Sequence, residues 1–147
     1  MATIQGDVII LSVYDVTGTA YKPVACLTSN SLNQTATINE SQTKCTPGVV
    51  TKTKGATAYN ISAEGEYIDT TSVGGSTTLA SHDFLKALFE GSANVFWRMS
   101  TGLVDTTFYY GESIISDLSL SAPTAENSTF SSTLEGTGAI VTVDPKA

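Results

Sequence analysis

Hydrophobic and polar side chains alternate at period two along most of this chain, and the alternation is cleanest between Ser116 and Gly138, which read SDLSLSAPTAENSTFSSTLEGTG. Taken as two strands joined by a turn over Pro123 to Asn127, the stretch puts Leu118, Leu120, Phe130 and Leu134 on one side, the natural core face. The other side carries Asp117, Ser119, Ser121, Thr129, Ser131, Thr133 and Glu135. That second face is small, hydroxylated and acidic.

Similar patterns recur upstream. Val8 to Tyr14 (VIILSVY) is apolar on both faces, as a strand covered on two sides would be. Val24 to Thr28 and Leu32 to Ser41 read as a hairpin turning near Asn30, the second strand showing Asn33, Thr35, Thr37, Asn39 and Ser41 on one side. Gln42 to Ala56 (QTKCTPGVVTKTKGA) has a turn signal at Pro47-Gly48 and is expected to be a projecting loop or arm. Thr57 to Tyr67 sets Tyr59, Ile61, Ala63 and Tyr67 against Asn60, Ser62, Glu64 and Glu66. Asp69 to Leu79 is a flexible connection around Gly74-Gly75.

One helix is predicted, in SHDFLKALFEG. Ser81 is a good N-cap, Asp83 suits the positive first turn, and Gly91 is the expected residue after the last turn. Phe84, Leu85, Leu88 and Phe89 form the stripe that packs this helix on a sheet. Val95, Trp97 and Met99 then mark a strand, Thr106 to Ile115 leads into the hairpin with Phe108, Tyr110 and Ile114, and Ala139 to Val143 closes the chain. About eight strands and one helix make the protein mainly β, a β-sandwich or barrel-like domain with one short flanking α-helix, spanning residues 1–147 as one unit.

Composition narrows the function. Charged residues are 14% of the 147, against roughly 25% in an average soluble protein. Such a hydroxyl-rich, weakly charged surface suits packing against other protein, so self-association is expected. The net charge of −7 argues against wrapping nucleic acid, which requires lysine and arginine to displace counterions, though an acidic wall would let DNA pass without sticking. Charge is also segregated: Ser41 to Ala63 holds Lys44, Lys52 and Lys54 and no acid until Glu64. These lysines, with Pro47 and Gly48, are candidate assembly contacts directed at acidic groups of a neighbour. Cys26 and Cys45 are expected to be free thiols. The N-terminal apolar run lacks a basic flank and is too short to span a membrane.

No catalytic constellation emerges. His82 is the only histidine, and with Ser81 and Asp83 as its chain neighbours it cannot form a triad, so it is expected to be an exposed residue at a helix start. No Cys or His partners stand at zinc spacing, and no phosphate loop or dinucleotide fingerprint is present. The expectation is a structural or binding protein, not an enzyme, with no metal and no cofactor.

The order of the second half resembles the tail tube (major tail) proteins of long-tailed bacteriophages and of related gene transfer agents. The residues that carry it are Asp83, Leu85, Leu88, Phe89 and Gly91 in the helix, then Thr129, Phe130, Ser131, Leu134, Gly136 and Gly138 in T-F-S-x-x-L-x-G-x-G. CLTSNSLNQTATINESQTK is similar to the family's strand pair before its interaction loop, and the resemblance runs over about residues 8 to 141, weakest at Gln42 to Ala56. It implies hexameric rings whose inner strands join into one barrel, stacked in a virion tail and assembled in the host cytoplasm. The implied partners are further copies of the chain, with tape-measure, tail-terminator and tail-tip proteins, and DNA in transit without specific binding. Under that reading Asp117, Ser119, Thr129, Ser131, Thr133 and Glu135 would line the bore. The rival reading is a secreted or surface β-sandwich that binds carbohydrate or protein.

Overall fold

A computed structural model of the chain describes residues 3–6, 9–16, 19–24, 27–45, 47–68, 80–100 and 108–146. In these residues the period-two segments become seven strands: β1 (Leu11–Asp15), β2 (Ala20–Pro23), β3 (Leu27–Ser41), β4 (Thr51–Glu66), β5 (Val95–Ser100), β6 (Phe108–Ser121) and β7 (Thr129–Val141). The one helix, α1, spans His82–Glu90. All seven strands lie in a single antiparallel sheet of order β2-β1-β5-β6-β7-β4-β3.

The sheet rolls up around its apolar face. Asn30 on edge strand β3 donates through Nδ2 to the carbonyl of Ile9, just before β1, at 3.3 Å. Five inter-strand steps separate β3 from β1, and in a flat sheet they would lie roughly 24 Å apart. Curling also lets Leu11 and Val13 of β1 share one core with Ile61 and Ala63 of β4, Trp97 of β5, and Phe130 and Leu134 of β7. Leu27 and Leu32 of β3 pack against the same cluster. The mainly β, barrel-like expectation with one flanking helix therefore holds, in the form of one rolled sheet.

Several expected strand boundaries change, among them the start of β4, which lies at Thr51 inside the expected Gln42 to Ala56 loop because Thr51 to Lys54 pair with Ile38 to Ser41. No turn interrupts the chain at Asn30: β3 runs unbroken, with Asn30 opposite Ala63, because the β4 ladder and the bond to Ile9 satisfy it better than a turn would. The strand from Thr106 merges with the first arm of the hairpin to give β6, its described part starting at Phe108. The closing strand is continuous with β7, a register shift at Gly138 (φ +81°) absorbing the bend. β2, AYKP, carried no alternation worth reading; its proline is tolerated because it ends a four-residue edge strand. The expected Asp69 to Leu79 connection and Cys26 lie outside the described residues, while Cys45 is free and exposed. No helix among the described residues is long and apolar enough to cross a membrane.

α1 lies on the core face through Leu85, 1% exposed, with Phe84 and Leu88 half-buried against the same cluster. Phe89 does not join them and is 47% exposed, standing about 140° round the helix from Phe84, at the far margin of the stripe. The caps also differ from expectation. Ser81 makes no side-chain cap bond; its buried Oγ accepts the N–H of Ile68 at 3.2 Å, tying the helix start to the end of β4. Gly91 is extended (φ −76°) and donates its N–H to Ala87 O at 3.2 Å. His82 is buried, not exposed, and packs with ring centroids 5.5 Å from Tyr67 and 6.5 Å from Phe130. The cause is the Tyr67 hydroxyl, which donates to Asp83 Oδ2 at 2.7 Å and draws the first helical turn onto the sheet. Leu85→Ala should therefore cost about 2–5 kcal/mol and Leu88→Ala less. Denaturation midpoints check this, and an unchanged midpoint for Leu85→Ala would contradict the packing.

Candidate functional site

The side of the sheet turned away from α1 carries the polar residues. Ladder partners point to the same side of a sheet, so the register defines this face residue by residue. Ser29, Ser31, Asn33 and Thr35 of β3 share it with Asn60, Ser62, Glu64 and Glu66 of β4. β4 in turn aligns Asn60 with Glu135, Ser62 with Thr133, Glu64 with Ser131 and Glu66 with Thr129. β7 aligns Thr133 with Asp117, Ser131 with Ser119 and Thr129 with Ser121. Two polar faces that look separate along the chain thus become one, with the polar side of β4 as the bridge.

A bulge makes this possible. The register slips between Ile115 and Asp117, leaving Ser116 as the extra residue. Without it Leu118 and Ile115 would face opposite ways; with it both turn to the core and Asp117 turns out. Ile115 is buried and Ile114, opposite Glu135, is exposed on the polar side.

Several hydroxyls and amides on this face bond to one another or to the backbone. Ser119 Oγ and Ser131 Oγ share a hydrogen bond at 2.5 Å, Asn33 Nδ2 donates to Asn60 Oδ1 at 3.2 Å, and Ser116 Oγ donates to Thr133 O at 3.3 Å. The carboxylates are not neutralised by cations: Glu64, Glu66, Asp117 and Glu135 form no ion pair among the described residues, and Asn127 Nδ2 reaches Glu66 only at 3.5 Å. None of the face positions named is Lys, Arg or His.

The same side of β1, β2 and β5 is closed by the C-terminal residues. Lys146 Nζ sits 4.0 Å over the Phe96 ring and 5.4 Å over Tyr14, and Tyr21 donates its hydroxyl to Asp144 Oδ1 at 2.9 Å. Burial, then the Asp144 carboxylate, push the Tyr21 phenol well above its ordinary range. Arg98 lies 4.9 Å over both Tyr21 and Phe108. Among the described residues, the part of the face on β3, β4, β7 and the C-terminal half of β6 is left open.

The second candidate is the β3–β4 hairpin beyond the sheet. β4 last pairs with β7 at Asn60, yet it continues as β3's partner back to Thr51, opposite Ser41. Those nine residues extend about 30 Å past the last rung shared with β7. Lys44, Pro47, Gly48, Lys52 and Lys54 all lie here and are exposed, with Gly48 at φ +76° in the turn. Ile38, Val49 and Val50 are exposed beside them. Lys52 pairs with Glu40 across the hairpin at 3.4 Å. Among the described residues no group of His, Cys, Asp and Glu side chains is arranged to hold a metal ion.

Comparison with known proteins agrees with this architecture. A family model described as phage tail tube protein matches residues 3–142. The fold is similar to a chain in the tail of an empty gene transfer agent particle refined with C6 symmetry, with TM-score 0.78, 13% identity, and coverage of 97% of this chain and 100% of that one. It is similar to a chain of the native gene transfer agent virion (TM-score 0.76, 12% identity, 97% and 100% covered). It also resembles the SPP1 tail tube (TM-score 0.68, 10% identity, 92% and 77% covered). No curated protein matches the chain.

Proposed function

The chain belongs to the phage tail tube protein family, a structural component of the virion tail, and from that premise we propose that its copies close into hexameric rings whose stacked bores conduct DNA. The observation that carries this reading is the open face of β3, β4, β6 and β7, where hydroxyls and amides surround four carboxylates and no cation. α1 covers the other face, so this is the side free to line a channel. A wall of that chemistry stays hydrated and repels phosphate, letting DNA slide instead of bind.

Ring closure has a physical motive in the sheet edges. β3 presents a 15-residue outer edge without a partner strand among the described residues, an aggregation hazard in a free chain. Pairing that edge with the neighbouring subunit would satisfy it and build a continuous barrel. The C6 symmetry of the gene transfer agent tail supports six as the ring number. Tape-measure, terminator and tip proteins are the further partners expected at the ends and inside of such a tube.

The arm beyond Asn60 is then an assembly element. Electron microscopy of the purified chain should show rings or tubes, and a chain that stays monomeric at high concentration would overturn the reading. Replacing Ile38 through Lys54 by an Asn-Gly turn removes only strand that pairs with itself. That variant should fold with wild-type stability and fail to polymerise; tubes of normal length from it would remove the arm from assembly.

A further inference from the structure

The subunit is electrically polar along its strands. Seven cations serve the whole chain, and four are engaged on their own subunit away from the arm. Lys22 meets Asp15 at 3.0 Å, Lys86 meets Glu90 at 2.6 Å, Arg98 lies between Tyr21 and Phe108, and Lys146 caps Phe96. The other three are on the arm, where Lys44 and Lys54 meet no carboxylate among the described residues. Exposed Ile38, Val49 and Val50 accompany them, so the arm offers apolar side chains flanked by positive charge.

The opposite end of the sheet offers the complement. β4 ends at Glu66 beside Thr129, and the turn from Ala122 to Ser128 that joins β6 to β7 carries Glu126. Tyr67 holds Asp83 of α1 at this same end. Leu120, paired with buried Phe130, is 48% exposed there. Leu120 and the carboxylates of Glu66, Asp83 and Glu126 thus gather at the end of the strands farthest from the arm, Leu120 on the core side of the sheet and Glu66 on the polar side.

We propose that the arm of one copy docks on this rim of a second copy, Lys44 and Lys54 meeting Glu66, Asp83 and Glu126 while the arm's valines cover Leu120. The inference rests on the reading that copies stack, and it adds the receiving surface. Because the two contact patches are different surfaces at opposite ends, the contact is heterologous. Such a contact repeats without closing along the axis and gives the stack one direction. It also makes stacking sensitive to salt, since exposed charges are screened within about 10 Å at 0.1 M.

Two charge-reversed proteins test it. One carries Lys44→Glu with Lys54→Glu, the other Glu66→Lys with Glu126→Lys, all four being surface positions outside the core cluster. Each alone should raise the concentration needed for tubes at low salt by tenfold or more. Mixed in equal amounts they should assemble again in alternation, since each reversed patch then meets its opposite on the other protein. A Glu66→Gln with Glu126→Gln variant, which adds no repulsion, should show a smaller loss in the same direction. Tubes of the rim variant at the wild-type concentration, or a mixture that stays unassembled, would overturn the docking site while leaving the tube reading intact. A wild-type chain that never associates would overturn both.

Discussion

Gly136→Ala is expected to destabilise the subunit by about 3 kcal/mol, as overpacking of a tight core does. A Cβ built on Gly136 would stand 2.3 Å from Tyr59 Cζ and 2.4 Å from two further ring carbons. The Tyr59 ring lies across the core face of β7 and β6, and Gly111 leaves room for its far edge, a Cβ there standing 2.6 Å from the Tyr59 hydroxyl and 2.8 Å from Trp97. The ring has nowhere to retreat. Its hydroxyl donates to Glu112 O at 2.7 Å and accepts from Trp97 Nε1 at 3.3 Å, while the two rings pack edge-on at 5.7 Å. Displacing it would break both hydrogen bonds and open the centre of the core. Chemical denaturation reads the loss, and a double-mutant cycle identifies its cause: in a Tyr59→Ala background, Gly136→Ala should add little. A wild-type midpoint for Gly136→Ala alone would mean that Tyr59 does not occupy this position.

Alternation found the core where a strand is regular. Val95, Trp97 and Met99, Tyr59, Ile61 and Ala63, and Phe130 with Leu134 all face inward as period two predicts. It misplaced residues where long-range geometry overrides local pattern. Ile115 rather than Ile114 enters the core because the Ser116 bulge resets the parity of β6, and no local signal marks that bulge. Asn30 looked like a turn residue, yet a ladder to Ala63 and a bond to Ile9 hold it extended. His82 looked exposed because its neighbours in sequence are polar, whereas its neighbours in space are Tyr67 and Phe130. The polar face was legible in pieces only. The segment Asn60 to Glu66 reads as an ordinary half-exposed strand until the register sets Glu64 beside Ser131 and Asn60 beside Asn33.

Reversing charge on that face should leave assembly intact and impede DNA. Asp117→Lys with Glu135→Lys moves each chain by +4, since each reversal changes the charge by two. Both carboxylates are exposed, and their ladder partners on the face, Thr133 for Asp117 and Asn60 with Ile114 for Glu135, carry no charge. Side chains facing water contribute little to folding, so rings and tubes should form as before. Along a bore built from repeated rings, however, each new lysine offers a phosphate contact, and small attractions recur at every ring the DNA passes. Ejection should slow markedly at low salt and recover as added salt screens the lysines. The neutral pair Asp117→Asn with Glu135→Gln should slow it far less, because repulsion is lost without attraction being gained. If these residues instead lie between subunits, the reversed pair would bury unmatched charge and block assembly outright. Measuring assembly and ejection on the same particles separates the cases: tubes that form normally and eject at the wild-type rate in low salt would show that DNA does not pass this face.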